Sequence, residues 1–246
     1  MNMKLEGHEI FVSRLYDAMA KCSGQDKEVM TSFLTPAQQE IAKTICRDYG
    51  LRFDGGIPTA ERKVAVISGQ FDDIAPADIV CLTSPVNPAL GPLAHPDVLG
   101  TFLHEGISRD MLGDFICTEN RVWIFCKAAM ADYISSSILR IKKQNMHWQE
   151  CDPADVPAAK FQTVQINAAS LRFDAVVAGL ARCSRSKAME MIKSGLVKVN
   201  DIELDHNGRL CNNDHISIRR CGRFQFLETV KTTRKDRLVL EFKKYA

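Results

Sequence analysis

The stretch from Leu171 to Asn200 constrains this chain more than any other part of it. Phe173, Val176, Val177 and Leu180 fall at i, i+3, i+4 and i+7, which lays one apolar stripe along a short helix. Ser184 follows, its hydroxyl placed to accept a free backbone amide, and it opens a second helix. Ala188, Met191 and Ile192 form the inner face of that helix, and Gly195 ends it. Val197 and Val199 start a strand, Asn200 and Asp201 make a tight turn, and Ile202 and Leu204 return. His215 to Arg219 is a further strand. The pattern describes two short helices packed on a small, strongly twisted sheet.

Basic residues surround this helix pair. Arg185 and Lys193 flank one edge of the second helix's buried stripe, and Lys187 flanks the other. Arg185, Ser186 and Lys187 also lie at a helix N-terminus, where free amides favour a phosphate. Arg172 precedes the first helix and Lys198 sits on the following strand, while Arg209 falls in an irregular loop, His206 to Asn213. The sequence does not place that loop relative to the helices. Residues 160–246 carry 17 Lys and Arg against 9 Asp and Glu, whereas residues 1–159 carry 15 against 21. A basic terminal module on an acidic body suits a polyanion, and the alternative is a solvated basic face. The candidate polyanion-binding residues are therefore Arg172, Arg185, Ser186, Lys187, Lys193, Lys198 and Arg209, and the resemblance that follows makes the polyanion RNA.

The segment LRFDAVVAGLARCSRSKAMEMIKSGLVKVND resembles the RNA-binding domain named after small-subunit ribosomal protein S-four. Arg172, Asp174, residues 184–188, Ile192, Lys193, Gly195 and residues 197–200 carry the likeness. The family has Gly after the Asn and before the Asp of the last strand, where this chain has Asp201 and Asn213. The departure weakens the expected turn geometry and removes no basic contact.

Upstream, the first fifty residues read as helices. Ile10, Phe11, Leu15, Ala18, Met19 and Cys22 recur at helical spacing, and Thr35-Pro36-Ala37-Gln38 is a capping signature. Val64 to Ile67 is a strand after the Gly55-Gly56 turn. From Ile79 the elements alternate. A strand (79–83), a helix (96–104), a hairpin (113–118 and 121–126), a helix (128–142) and a strand (146–150) give the order of a ferredoxin-like, RNA-recognition-like domain. Trp123 and Phe125 alternate on one face of its central strand, as base-stacking aromatics do. Val122, Ile124 and Cys126 make the other face apolar too, so the expectation for both faces is core packing. Residues 151–160 read as a linker.

FLTPAQQ (33–39), FDGGIPTAERK (53–63), LAHPDVLG (93–100), GISRDMLGDF (106–115) and Gly222-Arg223-Phe224 together resemble the bacterial YlmH family. The expected α+β architecture is a helical N-terminal segment (1–60), a ferredoxin-like middle domain (61–150), a linker or edge strand (151–168), and an S-four-type domain with a C-terminal β extension (169–246). The resemblance implies binding to ribosomal RNA and tRNA on the large ribosomal subunit, rescue of stalled translation, and a link to cell division.

S-four-type domains also accompany enzymes, so an RNA-modifying enzyme such as a pseudouridine synthase is one alternative, and a protein–protein adaptor is another. The chain shows no Gly-rich nucleotide loop and no synthase motif, and His104-Glu105 lacks the second His of a zinc protease helix. His95 and Asp97 read as an acid–base pair or as a helix cap. The nine cysteines contain no Cys-x-x-Cys, which argues against structural zinc and for reduced thiols. No apolar run reaches membrane-spanning length, and MNMKLEGHEI has no secretion-signal core. The expectation is a non-catalytic cytoplasmic protein with no cofactor and no membrane partner.

Overall fold

The computed structural model describes residues 7–25, 27–158 and 161–245. Residues 1–6, read above for a secretion signal, and linker residues 159–160 lie outside them. The chain forms two compact units, Met1–Ala159 and Lys160–Ala246.

The first unit begins with α1 (Glu9–Gln25), β1 (Val29–Leu34), α2 (Pro36–Ile45), β2 (Gly50–Asp54) and β3 (Lys63–Ser68). The capping box forms as the sequence indicates: Gln38 donates its amide to the Thr35 hydroxyl, and Thr35 donates its own to the Gln38 side chain. The expectation of a helical segment is corrected by a three-stranded antiparallel sheet in the order β1-β3-β2. A bulge between Met30 and Phe33 breaks the alternation of β1, which hides it between two helical patterns. β3, assigned above to the middle domain, is the central strand of this sheet. Its unbroken apolar run fits, because the strand is buried on both faces.

The middle part contains β4 (Ile79–Pro85), α3 (His95–His104), β5 (Leu112–Cys117), β6 (Arg121–Lys127), α4 (Ala131–Ser137), β7 (Arg140–Ile141), β8 (Gln144–Asn145) and β9 (Gln149–Glu150). Its four-stranded sheet runs β5-β6-β4-β9 with every neighbour antiparallel, the strand order of the split βαβ fold. The second helix is shorter than its sequence pattern, since a small β7–β8 hairpin replaces its expected end. Buried Gln144 holds that hairpin by accepting from the Asn87 amide (3.0 Å) and donating to the Asn87 and Gly91 carbonyls (both 2.8 Å). Trp148 Nε1 donates to the Ile138 carbonyl (2.8 Å), which secures the point where the helix stops.

These parts stack as four layers. Leu15, Ala18 and Cys22 of α1, with Ile41 and Ala42 of α2, cover Ala65 and Ile67 on one face of the first sheet. Phe33 and Val64 on its other face meet Cys81, Ile116, Trp123 and Phe125 of the second sheet. Val122, Ile124 and Cys126 then face Val98 and Phe102 of α3 and Ile134 of α4. Arg62 fastens the two sheets by donating to the Phe33 carbonyl (2.9 Å) and the Leu112 carbonyl (3.3 Å). Asp114 accepts the Arg62 amide (3.1 Å) from the other side.

The second unit contains β10 (Phe161–Ala168), α5 (Phe173–Leu180), α6 (Arg185–Lys193), β11 (Val197–Val199), β12 (Ile202–Glu203), β13 (His215–Ile218), β14 (Gly222–Thr232) and β15 (Leu238–Tyr245). The sheet order is β10-β15-β14-β13-β11-β12. Residues 161–168 are thus an edge strand paired with β15 along its whole length. Phe173, Val176, Val177, Ala188 and Ile192 from the helices pack on Phe224, Phe226, Leu240 and Phe242. Asp201 and Asn213 adopt φ of +67° and +66°, so the left-handed turns survive without Gly. Asn and Asp are the side chains that tolerate this region best. Asn200 closes the arrangement, donating to Asp214 (2.8 Å) and accepting the His215 amide (3.0 Å).

The face that RNA-recognition domains use for stacking is therefore interior here. Phe125→Ala is expected to destabilise the first unit by about 3–5 kcal/mol, the range for a truncated core aromatic. Urea titration followed by circular dichroism checks this, and a loss below about 1 kcal/mol contradicts the four-layer packing.

Candidate nucleic-acid interface

The candidate residues gather around a carboxylate. Asp174 lies in the first turn of α5 and is 6% exposed. Its Oδ1 accepts from Arg172 Nε (3.1 Å), and its Oδ2 accepts from Arg185 Nε (3.0 Å) and Nη2. The two arginine side chains remain 57% and 53% exposed. Asp174 thus holds both guanidinium groups in place while leaving further N–H donors of each directed to solvent. Burial alone raises the Asp174 pKa. The neighbouring Asn207 and the hydrogen-bonded Arg185 and Arg172 outweigh that and take it from 3.8 down to about 2.

The loop that the sequence left unplaced docks on the same spot. Phe173 donates its amide to the Gly208 carbonyl (3.0 Å), and Leu210 donates to the Leu171 carbonyl (2.8 Å). Asn207 Oδ1 accepts the Asp174 amide (3.2 Å). These bonds set Arg209 opposite Arg172 in an antiparallel bridge, where paired side chains share a side. A side chain at Gly208 would meet the Phe173 ring at 2.6 Å, so close docking requires Gly there. Asn207 and Gly208 were missed in the sequence reading; the Asn-Gly pair is the signal that marks the turn.

The remaining candidates divide. Ser184 caps α6 by accepting the Lys187 amide (3.2 Å), which leaves Arg185 and Ser186 in an exposed first turn. Lys187 pairs with Glu190 (3.0 Å) and Lys198 with Glu203 (3.1 Å), so each carries its own counter-charge. Lys193 is exposed and has no ion pair among the described residues. The structure joins Arg172 and Arg185 through Asp174, with Ser186 beside Arg185 on α6, and sets Arg209 next to Arg172 by a backbone bridge. Arg185, at the edge of the buried stripe of α6, is tied to a buried acid on another helix.

Elsewhere the chemistry-bearing residues serve structure. Trp123 is 8% exposed and Phe125 is fully buried under the first sheet. Asp97 accepts the Ala94 amide (3.0 Å) and pairs with Lys142 (2.6 Å), which is the cap reading of that residue. Burial raises the Cys46 thiol to about 11 and the Cys126 thiol to about 12, as expected of cysteines used as small apolar groups. Among the described residues no three His, Cys, Asp or Glu are grouped to hold a metal, and no helix is long and apolar enough to cross a membrane.

Comparison with known proteins places these features. Residues 89–155 match the family model described as "Putative RNA-binding domain in YlmH", so the middle part is of the class found in that RNA-binding family. The chain is 30% identical over 222 residues to the ribosome-associated protein quality control protein P2 of Bacillus subtilis (strain 168). That match covers 87% of this chain and 86% of the relative. The chain belongs to the YlmH family. Its fold also resembles the solved cell division protein ylmH from Streptococcus pneumoniae, with a TM-score of 0.51 at 18% identity. That likeness covers 61% of this chain and 94% of the pneumococcal one.

Arg185→Ala is expected to cost about 1–2 kcal/mol, because it strips a charge-assisted partner from a buried carboxylate. Lys193→Ala should stay within about 0.5 kcal/mol of wild type. Parallel urea melts check the contrast, and equal losses overturn it.

Acid should unfold the second unit through two separate windows. His215 is buried, and burial followed by the nearby Arg223 charge lowers its pKa from 6.5 to about 4, with Asp201 opposing and Lys243 reinforcing. A depressed histidine favours the unfolded state as pH falls from 6.5 to about 4, because only the unfolded chain takes the proton. Asp174 adds stability that is present above pH 3.8 and lost as pH falls toward about 2. Stability measured against pH should lose the upper window in His215→Phe and the lower one in Asp174→Asn.

Proposed function

We propose that this protein is a non-catalytic RNA-binding factor acting on the ribosome in the cytoplasm. Residues 169–246 serve as its S-four-type domain, and the RNA is structured. The observation that carries this reading is the convergence of Arg172 and Arg185, at the N-terminal ends of two helices, on one buried carboxylate, with Arg209 bridged beside Arg172. Asp174 holds the Arg172 and Arg185 side chains in position before any ligand arrives, which lowers the entropy lost on binding. The exposed first turn of α6 adds free amides beside them. Ser186 and Lys193 extend the contact, while Lys187 and Lys198 contribute less because Glu190 and Glu203 neutralise them.

The name of the Bacillus subtilis relative supports a role in ribosome-associated quality control. Within that role we infer contact with ribosomal RNA and tRNA at the large subunit, where stalled chains remain attached. The capping role of Asp97 and the ion pairs of Asp174 support a binding function over catalysis, since neither carboxylate is left poised as a base.

Filter binding of the full chain to structured RNA at several salt concentrations tests the reading. Log affinity should fall with log salt, by about 0.9 per phosphate contact on a duplex of B-DNA type and about 0.7 on a single strand. Combined Lys193→Ala and Arg209→Ala should preserve the fold and reduce the slope by about two contacts. A flat salt response, or equal competition by DNA of the same shape, overturns the proposal. Unaltered nucleosides in RNA from a deletion strain would agree with the absence of catalysis, and a missing modification would contradict it.

A further inference from the structure

We propose that the tip of the β14–β15 hairpin is a second phosphate-binding surface, which lies along the backbone of an RNA stem beside the first. The inference rests on the RNA-binding reading above and extends it to residues outside the helix pair.

Residues 231–237 read Lys-Thr-Thr-Arg-Lys-Asp-Arg, with Asp236 the one acid among four cations. Lys231, Arg234, Lys235 and Arg237 are all exposed. The core under this hairpin ends at Phe226 on β14 and at Leu238 on β15, and Glu228 to Thr232 of β14 are exposed on both sides. The tip thus projects past the packed part of the sheet.

The projecting turn is nevertheless ordered. Thr233 donates its amide to the Arg237 carbonyl (2.7 Å), and Asp236 donates to the Thr233 carbonyl (3.0 Å). The Arg237 amide donates to the Thr233 hydroxyl (3.1 Å). Asp236 takes the left-handed conformation, at φ +51°, that closes such a turn. Arg234 and Lys235 are therefore carried at the apex of a fixed backbone. Lys231, Arg234 and Lys235 have no ion pair among the described residues, in contrast to Lys187 and Lys198.

The tip is also near the first cluster. Arg237 donates through Nη2 to the Asn167 carbonyl (2.8 Å), and Leu238 pairs with Ala168 at the end of β10. Arg172 follows Asn167 by five residues, a length of chain that spans at most roughly 18 Å. A duplex presents several backbone phosphates over such a distance. The two cation sets thus suit successive phosphates of one stem. An acidic protein segment is the competing occupant, but it offers no regular charge spacing to match the two sets.

The experiment compares the full chain with two variants on two probes. One variant combines Lys231→Ala, Arg234→Ala and Lys235→Ala; it leaves the Arg237 bond intact, and its melting temperature checks folding. The other combines Lys193→Ala and Arg209→Ala. The probes are a labelled RNA stem-loop of half a helical turn and one of two turns. The tip variant should bind the long stem about tenfold more weakly, with a salt slope lower by about two to three contacts. It should bind the short stem within about twofold of wild type. Unchanged affinity and slope on the long stem overturn the tip surface, and a weakened second variant in the same assay leaves the helix-pair reading standing. A weakened tip variant beside an unaffected second variant supports the tip and removes the helix-pair cluster. Equal losses on both stems overturn the continuous path. Competition by polyglutamate as effective as by RNA assigns the tip to an acidic protein instead and overturns the proposal.

Discussion

The second unit depends on one carboxylate that has been taken out of water. Asp174 is costly to bury as an anion, and two arginines together with Asn207 offset that cost. The result ties three separate pieces of chain to one point: the start of α5, the start of α6, and the loop after β12. Each piece brings at least one cation or donor, so folding and assembly of the arginine-bearing surface are the same event. An arginine at such a site cannot be judged by exposure alone. Its outer edge faces solvent while its inner edge neutralises the core.

The first unit shows how a familiar strand order can be put to another use. The split βαβ sheet leaves one face uncovered when it stands alone. Here that face is filled by Phe33 and Val64 from a second sheet, and Arg62 and Asp114 join the edges. Trp123 and Phe125 then act as core residues of a double sheet. Any contact that the middle part makes with RNA must use its helices or loops.

Much of this was legible in the sequence where local signals and tertiary packing agree. Ser184, Gly195, Thr35 and Gln38 are caps whose hydrogen bonds form within a few residues, so spacing alone locates them. The apolar stripe of Phe173, Val176, Val177 and Leu180 needs only its period. The doubly apolar strand 122–126 also gave a correct warning that neither face is free. What escaped was set by distant partners. β1 was hidden because a bulge breaks its alternation. The end of α4 was misjudged because Gln144 and Trp148 restrain the chain through Asn87, Gly91 and Ile138. The tie of Arg185 to Asp174 was not legible because the acid is eleven residues away, on another helix.

The four-layer stack also carries a consequence for the order in which the chain is made. Residues 9–68 are made before the second sheet and contain both the helices and the strands of the first sheet. Their inner helical layer can close at once, but Phe33 and Val64 wait for Trp123 and Phe125, which are made later. During that interval an apolar sheet face is open to other nascent chains and to chaperones. The early part of this protein thus completes its packing only when the second sheet has been made.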